Sequence, residues 1–160
     1  MIITPITSSN SIELVELFSE LEDYYFGCQA ASKSEIETYF SAGLFAPHSG
    51  VQVVGAKVDG DILAFASYSI LYPAPRLSGQ LFMKDLFVSK RARGQGLGRA
   101  LMVYLAREAL DKGCLRMDWT AESTNPNAGR FYQAMGAALI EEKQYFRFDG
   151  MSLKQFASSN

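Results

Sequence analysis

A glycine- and arginine-rich stretch, Arg91–Met102, has the composition of an anion-binding loop. Gly94, Gly96 and Gly98 occupy alternate positions, with arginines on either side of them. Glycine lets a backbone come close to a ligand, and the free N–H groups at the start of a following helix attract an anion such as phosphate. Arginine side chains add charge-assisted hydrogen bonds to phosphate oxygens. We therefore predict that residues 93–99 hold a phosphorylated ligand.

The spacing of the glycines excludes two common phosphate-binding loops. The P-loop pattern G-x-x-x-x-G-K-[ST] does not occur in the sequence. A dinucleotide fingerprint that begins at Gly94 requires its third glycine at the position of Arg99, so that pattern fails as well. A glycine-rich turn without a ligand is the structural alternative.

The pattern that fits is R-x-x-G-x-G, which Arg93, Gly96 and Gly98 satisfy. A second motif downstream, N-x-x-A-x-x-[FL]-Y-x-x-x-G-[AF], begins at Asn125 and includes Tyr132. Together these motifs resemble the acetyl-CoA-binding core of the GNAT superfamily of N-acetyltransferases. The phrases "DLFV", "RGQGLG" and "FYQAMGA" most resemble the diamine (spermidine/spermine) N-acetyltransferase branch.

The resemblance implies acetyl-CoA as the cosubstrate. It places the pyrophosphate over the glycine loop and the pantetheine arm beside the preceding strand, where the arm pairs like an additional β-strand. Asn125 either helps to hold the pantetheine or caps the helix that follows it. The implied cofactor-binding residues are Leu86, Phe87, Val88, Arg93, Gly94, Gln95, Gly96, Leu97, Gly98, Arg99 and Asn125.

The resemblance also implies a catalytic role for Tyr132, and Asp85 is the nearest candidate for the base, with a structural role as its alternative. A phenol has a reference pKa of about 10, so Tyr132 is protonated at neutral pH and can donate a proton to the departing thiolate; the alternative is an aromatic packing residue. The diamine branch carries a glutamate just before Asp85, whereas this sequence has Lys84. The base is therefore Asp85 acting through water, another acid, or none. Strand alternation turns Asp85 away from the face of Lys84 unless the strand is bulged.

Residues around the amine acceptor are predicted in two places. Lys84 repels a polycation and can pair with a substrate carboxylate, which favours an amino acid or a similar zwitterion; the alternative is a solvated strand lysine. The stretch "ELEDYYFG" at residues 20–27 supplies carboxylates, at Glu20, Glu22 and Asp23, and aromatic surface that includes Tyr24, and both can hold an ammonium group. Their alternative role is a solvated helix face with core aromatics.

Hydrophobic periodicity predicts a mixed sheet with helices packed on it. The resemblance implies a GNAT-like α/β (α+β) fold, in which about four helices flank a mixed, mostly antiparallel sheet of six to seven strands. Residues 1–160 are then one domain. Strands are predicted at residues 2–5, 51–58, 62–71, 80–88, 114–120, 138–142 and 144–148. Helices are predicted at 11–25, around 36–40 with Ser32 or Ser34 near the start, at 97–112 with Gly113 as the stop signal, and at 125–136 and 151–156.

Composition and charge limit the partners and the cellular location expected for the protein. The chain has 160 residues and a formal net charge of −2 without a long basic run, so no nucleic-acid partner is expected. No apolar run approaches the ~20 residues of a membrane helix, so no membrane partner is expected either. Cys28 and Cys114 are too few for a disulfide framework and favour a reduced, cytoplasmic location. No metal-ligand spacing occurs, so no metal is predicted. The resemblance adds a homodimer.

The predicted function is acetyl-CoA-dependent transfer of an acetyl group to the primary amine of a small molecule, either di- or polyamine-like or amino-acid-like. Two alternatives stay open. One is a non-catalytic module that binds acyl-CoA as a sensor. The other is an N-acetyltransferase that acts on peptides or proteins.

Overall fold

A computed structural model of the chain describes residues 1–159, which contain one five-stranded sheet and five α-helices. The strand order is β1-β2-β3-β4-β5; the first four strands pair antiparallel, and β5 runs parallel to β4. The strands are β1 (Ile2–Ile6), β2 (Gln52–Val58), β3 (Asp61–Ala74), β4 (Ser78–Val88) and β5 (Cys114–Trp119). The helices are α1 (Val15–Phe26), α2 (Lys33–Tyr39), α3 (Leu97–Asp111), α4 (Pro126–Ala134) and α5 (Gly150–Ala157).

The chain divides into two compact units. The first, Met1–Thr120, holds the sheet and α1 to α3, and the second begins at Ala121 and holds α4 and α5. No helix within residues 1–159 combines the length and apolar character required to cross a membrane.

Helices α1 and α2 cover one face of the sheet. Leu17 and Leu21 recur at helical spacing on α1 and are buried, and they share one core cluster with Phe65 of β3 and Phe87 of β4. Burying a leucine or phenylalanine side chain stabilises a fold by roughly 1.5–3 kcal/mol. This core fixes α1 directly above the strand that leads into the glycine loop.

Helix α3 covers the opposite face. Its buried residues Leu101 and Leu105 follow the predicted helical spacing. The Tyr68 hydroxyl on β3 donates to Oε2 of Glu108 at 3.3 Å and to Oε1 of Gln52 at 3.1 Å, sharing one proton between the two acceptors. Burial, followed by the neighbouring Glu108 carboxylate, raises the pKa of Tyr68. The hydroxyl is therefore a neutral link between α3 and the sheet.

Two helix ends lie at local signals in the sequence, and of the two candidate serines at the start of α2 the structure uses Ser32. The Ser32 hydroxyl accepts from the N–H of Glu35, whose carboxylate accepts from the N–H of Ser32, so a capping box starts α2. Gly113 follows the end of α3 with φ +71°, which is the left-handed conformation that glycine adopts without strain.

The last pair of predicted strands is wrong. Residues 138–142 and 144–148 form no ladder in the part of the chain that the structure describes, so the sheet has five strands rather than six to seven. A strand requires a neighbouring strand to satisfy its backbone groups, and alternation of apolar side chains does not supply one. Tyr145 and Phe146 are 70% and 83% exposed, so the alternation does not mark a buried face within the chain. The mixed, mostly antiparallel class is confirmed.

Candidate functional site

The glycine loop joins the end of β4 to the start of α3. Gly94 and Gly96 have φ of +76° and +82°, and Gly96 is the N-cap residue of α3. A Cβ built on either glycine meets no atom within 4 Å, so the side of the loop where side chains are missing faces open space. The N–H groups of the first helical turn have no partner inside the helix. The loop therefore has the form of a cradle for an anion.

The start of the loop is anchored to two other elements, β3 and α1. The Ser89 N–H donates to the Leu63 carbonyl at 2.9 Å, and the Lys90 N–H donates to Oε1 of Glu20 at 2.7 Å. The Arg91 guanidinium is already paired with Asp61 at 2.8 Å. These contacts hold the loop before any ligand is present.

Two loop arginines keep their charge available. Arg93 and Arg99 are exposed, and neither forms an ion pair with another of residues 1–159. Arg93 donates through Nε to the Val88 carbonyl at 3.3 Å, and the Gln95 amide donates to the Arg91 carbonyl at 3.2 Å. Arg93 and Gln95, both predicted to bind the cofactor, therefore also stabilise the loop itself, and Arg93 adds a positive charge to it.

Strand β4 has an open edge next to this loop. Its parallel pairing with β5 runs to Met83 and Trp119 and ends there. Leu86, Phe87 and Val88 continue β4 and pair in the sheet only with β3 on their other side. The segment predicted to bind pantetheine thus has no neighbouring strand on that edge within residues 1–159, which is where a strand-like ligand arm would pair.

A β-bulge in β4 decides which way Asp85 faces. Ser67 of β3 pairs with Asp85 while the next residue, Tyr68, pairs with Met83, so Lys84 is the extra residue. Met83 lies on the α3 face with Tyr68, whereas Asp85 lies on the α1 face. The bulge therefore brings Asp85 to the same face as Lys84, which unbroken alternation would prevent.

Asp85 is held in place on that face. The Ser67 hydroxyl, which is buried, donates to Oδ2 of Asp85 at 2.5 Å. Asp85 itself is half-buried, and Lys84 beside it is exposed. One carboxylate oxygen is thereby fixed by the protein, and the arrangement can position a carboxylate to accept a proton.

Helices α1 and α2 bring further polar groups toward Asp85. Burial raises the pKa of Tyr39 at the end of α2, and the carboxylates of Asp85 and Glu22 raise it further. Glu22 accepts from the Ala31 N–H at 3.2 Å, and the Tyr24 ring lies 6.3 Å from that of Phe87. A cleft of about 190 Å³ is lined by Glu22 and Tyr39 among others.

Sequence reasoning missed Tyr39, because Ile36, Tyr39 and Phe40 indicated only a helix. The predicted acceptor residue Asp23 lies on α1 and is exposed. The structure therefore places Glu22 and Asp85 near Tyr39 and places Tyr24 beside Phe87 of β4, while Lys84 adjoins Asp85 along the strand.

The remaining predicted residues belong to the second unit. The Asn125 side chain accepts from the Ala128 N–H at 3.2 Å, with Pro126 at the first helical position, so Asn125 caps α4 as one of its two predicted roles requires. Tyr132 lies on α4, half-buried, with its ring 5.1 Å from that of Phe131. No group of three or more metal-ligating side chains occurs within residues 1–159.

The two motifs find their counterpart in one protein family. Residues 14–137 match the Acetyltransferase (GNAT) family. The chain belongs to the GNAT acetyltransferase family. The matched region contains the glycine loop, the bulged strand and the whole second motif.

Individual relatives extend this comparison. A solved structure described as an integron cassette protein from the mobile metagenome of V. cholerae is 51% identical, has a TM-score of 0.97, and covers 99% of this chain and 98% of that one. A Caenorhabditis elegans protein named thialysine N-epsilon-acetyltransferase is 25% identical over 158 residues, which are 97% of this chain and 96% of that protein. A Bacillus subtilis spermine/spermidine N(1)-acetyltransferase is 28% identical over 86 residues, 52% of this chain and 57% of that protein. The chain spans about half the length of several curated relatives that it matches, in one case 47%.

Proposed function

We propose that this protein transfers the acetyl group of acetyl-CoA to a primary amine of a small molecule. The observation that carries the proposal is the junction of β4 with the glycine loop. There, an open strand edge at Leu86–Val88, a left-handed glycine cradle and the first turn of α3 follow one another along the chain. A nucleotide-linked pantetheine thioester needs these three features in that order.

The residues that would hold acetyl-CoA divide by the part of the ligand that they suit. The N–H groups of the first turn of α3, together with the Arg93 and Arg99 guanidiniums, suit the pyrophosphate. The backbone of Leu86–Val88 suits the pantetheine amides, and Asn125 is retained as a candidate for the same arm. When bound, the thioester supplies an activated acetyl group.

Two side chains are proposed to move protons. Asp85, oriented by the Ser67 hydroxyl at 2.5 Å, takes a proton from the acceptor ammonium, directly or through water. Tyr132 donates a proton to the departing sulfur, because a phenol is protonated at neutral pH. Backbone N–H groups near Val88 offset negative charge that develops on the carbonyl oxygen.

The charges around Asp85 favour an acceptor that carries both an amine and a carboxylate. Glu22, Asp23 and Asp85 provide negative charge for ammonium groups, and Tyr24 and Tyr39 provide polar aromatic surface. Lys84, exposed beside Asp85, provides the positive charge that a carboxylate requires. We therefore propose a diamino acid as the preferred acceptor, in keeping with a relative whose name specifies thialysine. Polyamines are the second candidate, in keeping with the spermine/spermidine relative.

A matched pair of acceptors tests the substrate class. Lysine and cadaverine differ only in the carboxylate, as do ornithine and putrescine. We expect the wild-type kcat/KM to be higher for the amino acid of each pair than for the diamine. The assay measures the release of free thiol from acetyl-CoA. Lys84→Glu should shift that ratio toward the diamine by about tenfold or more, since it reverses a charge beside the site.

A control and two contrary outcomes complete this test. Lys112→Glu reverses the same charge at the far end of α3, where Lys112 pairs with Glu108, and should leave the ratio unchanged. An unchanged ratio in Lys84→Glu would contradict the role of Lys84. Binding of acetyl-CoA without thiol release from any small amine would favour a sensor or a peptide acetyltransferase.

We also propose a homodimer in a reduced, cytoplasmic setting. Both cysteines are free thiols, Cys28 exposed and Cys114 buried. Light scattering coupled to size exclusion tests the dimer, and a monomeric mass would contradict it. The second unit presents large exposed apolar side chains that suit an interface between copies: Leu139, Tyr145, Phe146, Phe148, Met151 and Phe156.

A further inference from the structure

Glu20 of α1, predicted as one of the carboxylates for the acceptor amine, makes a contact with the start of the glycine loop. Its Oε1 accepts from the Lys90 N–H at 2.7 Å, between positions 70 residues apart in the chain. Lys90 opens the single 3₁₀ turn that leads from β4 into the glycine loop. We propose that Glu20 is a positioning residue that fastens the acyl-CoA loop to α1. This inference rests on the proposed function, because it assigns a role in binding acetyl-CoA.

The contact meets a need that the turn cannot satisfy by itself. A helical turn leaves its first N–H groups without internal partners, and Lys90 is the first residue of the 90–92 turn. The preceding Ser89 N–H is satisfied by Leu63 of β3, and the Ala92 N–H by Ser89 within the turn. The Lys90 N–H is satisfied from outside by a carboxylate, and hydrogen bonds to charged acceptors are stronger than neutral ones. Glu20 therefore determines where the loop begins relative to α1.

The same helix carries the predicted acceptor residues. Tyr24 is four positions after Glu20 and so lies on the same side of α1, with its ring 6.3 Å from Phe87 of β4. Helix α1 thus contacts β4 through Tyr24 and the loop through Glu20. Loss of the Glu20 contact should disturb both substrates, with a rise in KM for acetyl-CoA and for the amine that exceeds the fall in kcat.

A positioning role and a simple charge effect predict opposite changes in acetyl-CoA affinity when Glu20 is removed. Glu20 brings a negative charge to the start of a loop that binds phosphate groups, and like charges repel. If Glu20 acted only through its charge, its removal would tighten acetyl-CoA binding. If it positions the loop, its removal weakens binding.

Three substitutions of Glu20 and one control separate these effects. Glu20→Ala and the apolar near-isostere Glu20→Met both lose the acceptor oxygen, and each should raise the Kd for acetyl-CoA by about tenfold. Glu20→Gln keeps an acceptor oxygen without the charge and should stay within about threefold of wild type. Glu16→Ala removes the same charge from α1 one turn earlier, where Glu16 is paired with the exposed Lys33, and should bind as wild type does.

The measurement is calorimetric titration with acetyl-CoA, with unfolding curves for each variant and steady-state KM and kcat alongside. Rescue by glutamine together with weak binding in folded Glu20→Met supports the proposal even if Glu20→Ala does not fold. Unchanged or tighter binding in Glu20→Met overturns it, as does an equal loss in Glu16→Ala. Failure of the wild type to bind acetyl-CoA would instead refute the proposed function, since that result does not involve Glu20.

Discussion

The glycine cradle makes a prediction at Gly96, the N-cap residue of α3. Gly96 has φ +82°, and a Cβ there meets no atom within 4 Å, so Gly96→Ala adds strain without a steric clash. A left-handed conformation costs an alanine roughly 1–2 kcal/mol. For a chain of this size, that loss lowers Tm by about 2–8 °C. The fold should survive the substitution.

The effect on the ligand should be larger than this loss of stability. The added methyl group projects into the space that the proposed anion occupies, and it removes at least one charge-assisted hydrogen bond of about 1.5–3 kcal/mol. That loss corresponds to an increase in Kd for acetyl-CoA of about 10- to 150-fold. Calorimetric titration measures it on protein whose folding has been verified by its unfolding curve.

Gly113 offers a matched control at the other end of α3. It has φ +71° and equally open surroundings, so Gly113→Ala carries the same backbone strain far from the loop. We expect a similar fall in Tm and no change in the Kd for acetyl-CoA. Equal binding by the two variants would refute the assignment of the loop as the acetyl-CoA site.

Three further predictions concern the acceptor site, the sheet and the assembly. Asp85→Asn should lower kcat/KM by about 100-fold or more without affecting acetyl-CoA binding, because the amide cannot accept the proton; full activity in steady-state assays would exclude Asp85 as the base. Folding raises the pKa of Tyr68 above its unfolded value of about 10. Above pH 10 the unfolded state therefore releases a proton that the folded state keeps, so the free energy of unfolding should fall as the pH rises past 10. Tyr68→Phe should reduce this slope in urea titrations at pH values on either side of 10, and an unchanged slope would contradict the cause assigned. Phe146, 83% exposed, should lie in a dimer interface, so Phe146→Ser should shift the mass measured by light scattering toward the monomer, whereas an unaltered dimer would place the interface elsewhere.

Local signals in the sequence were sufficient for most of the fold. The helical spacing of Leu17 and Leu21, the capping serine at Ser32 and the glycine at Gly113 each act within a few residues, so their consequences can be predicted without tertiary information. The two predicted C-terminal strands failed because a strand depends on a partner elsewhere. No short-range pattern specifies that partner.

The candidate site was predictable to the extent that its residues lie in contiguous motifs. The glycine loop falls in one such motif, and the comparison with the GNAT family confirms the family that it suggested. The sequence analysis could name a bulge only as the condition under which Asp85 shares a face with Lys84, because no local pattern distinguishes a bulged strand from a regular one. Tyr39 reaches the site from another element through tertiary packing, and its spacing along the chain carries no sign of it. Glu20 was predicted only as a carboxylate for the amine, because its contact with Lys90 joins positions 70 residues apart.

The central claim is that the chain acetylates the amine of a small molecule. The most direct test incubates the purified protein with acetyl-CoA and the lysine, cadaverine, ornithine and putrescine set, and identifies acetylated products by mass spectrometry. We predict mono-N-acetylated product from the wild type, mainly from the amino acids, and much slower formation by Tyr132→Phe under conditions in which chemistry limits the rate. Absence of any acetylated amine, from a protein that binds acetyl-CoA, would contradict the account.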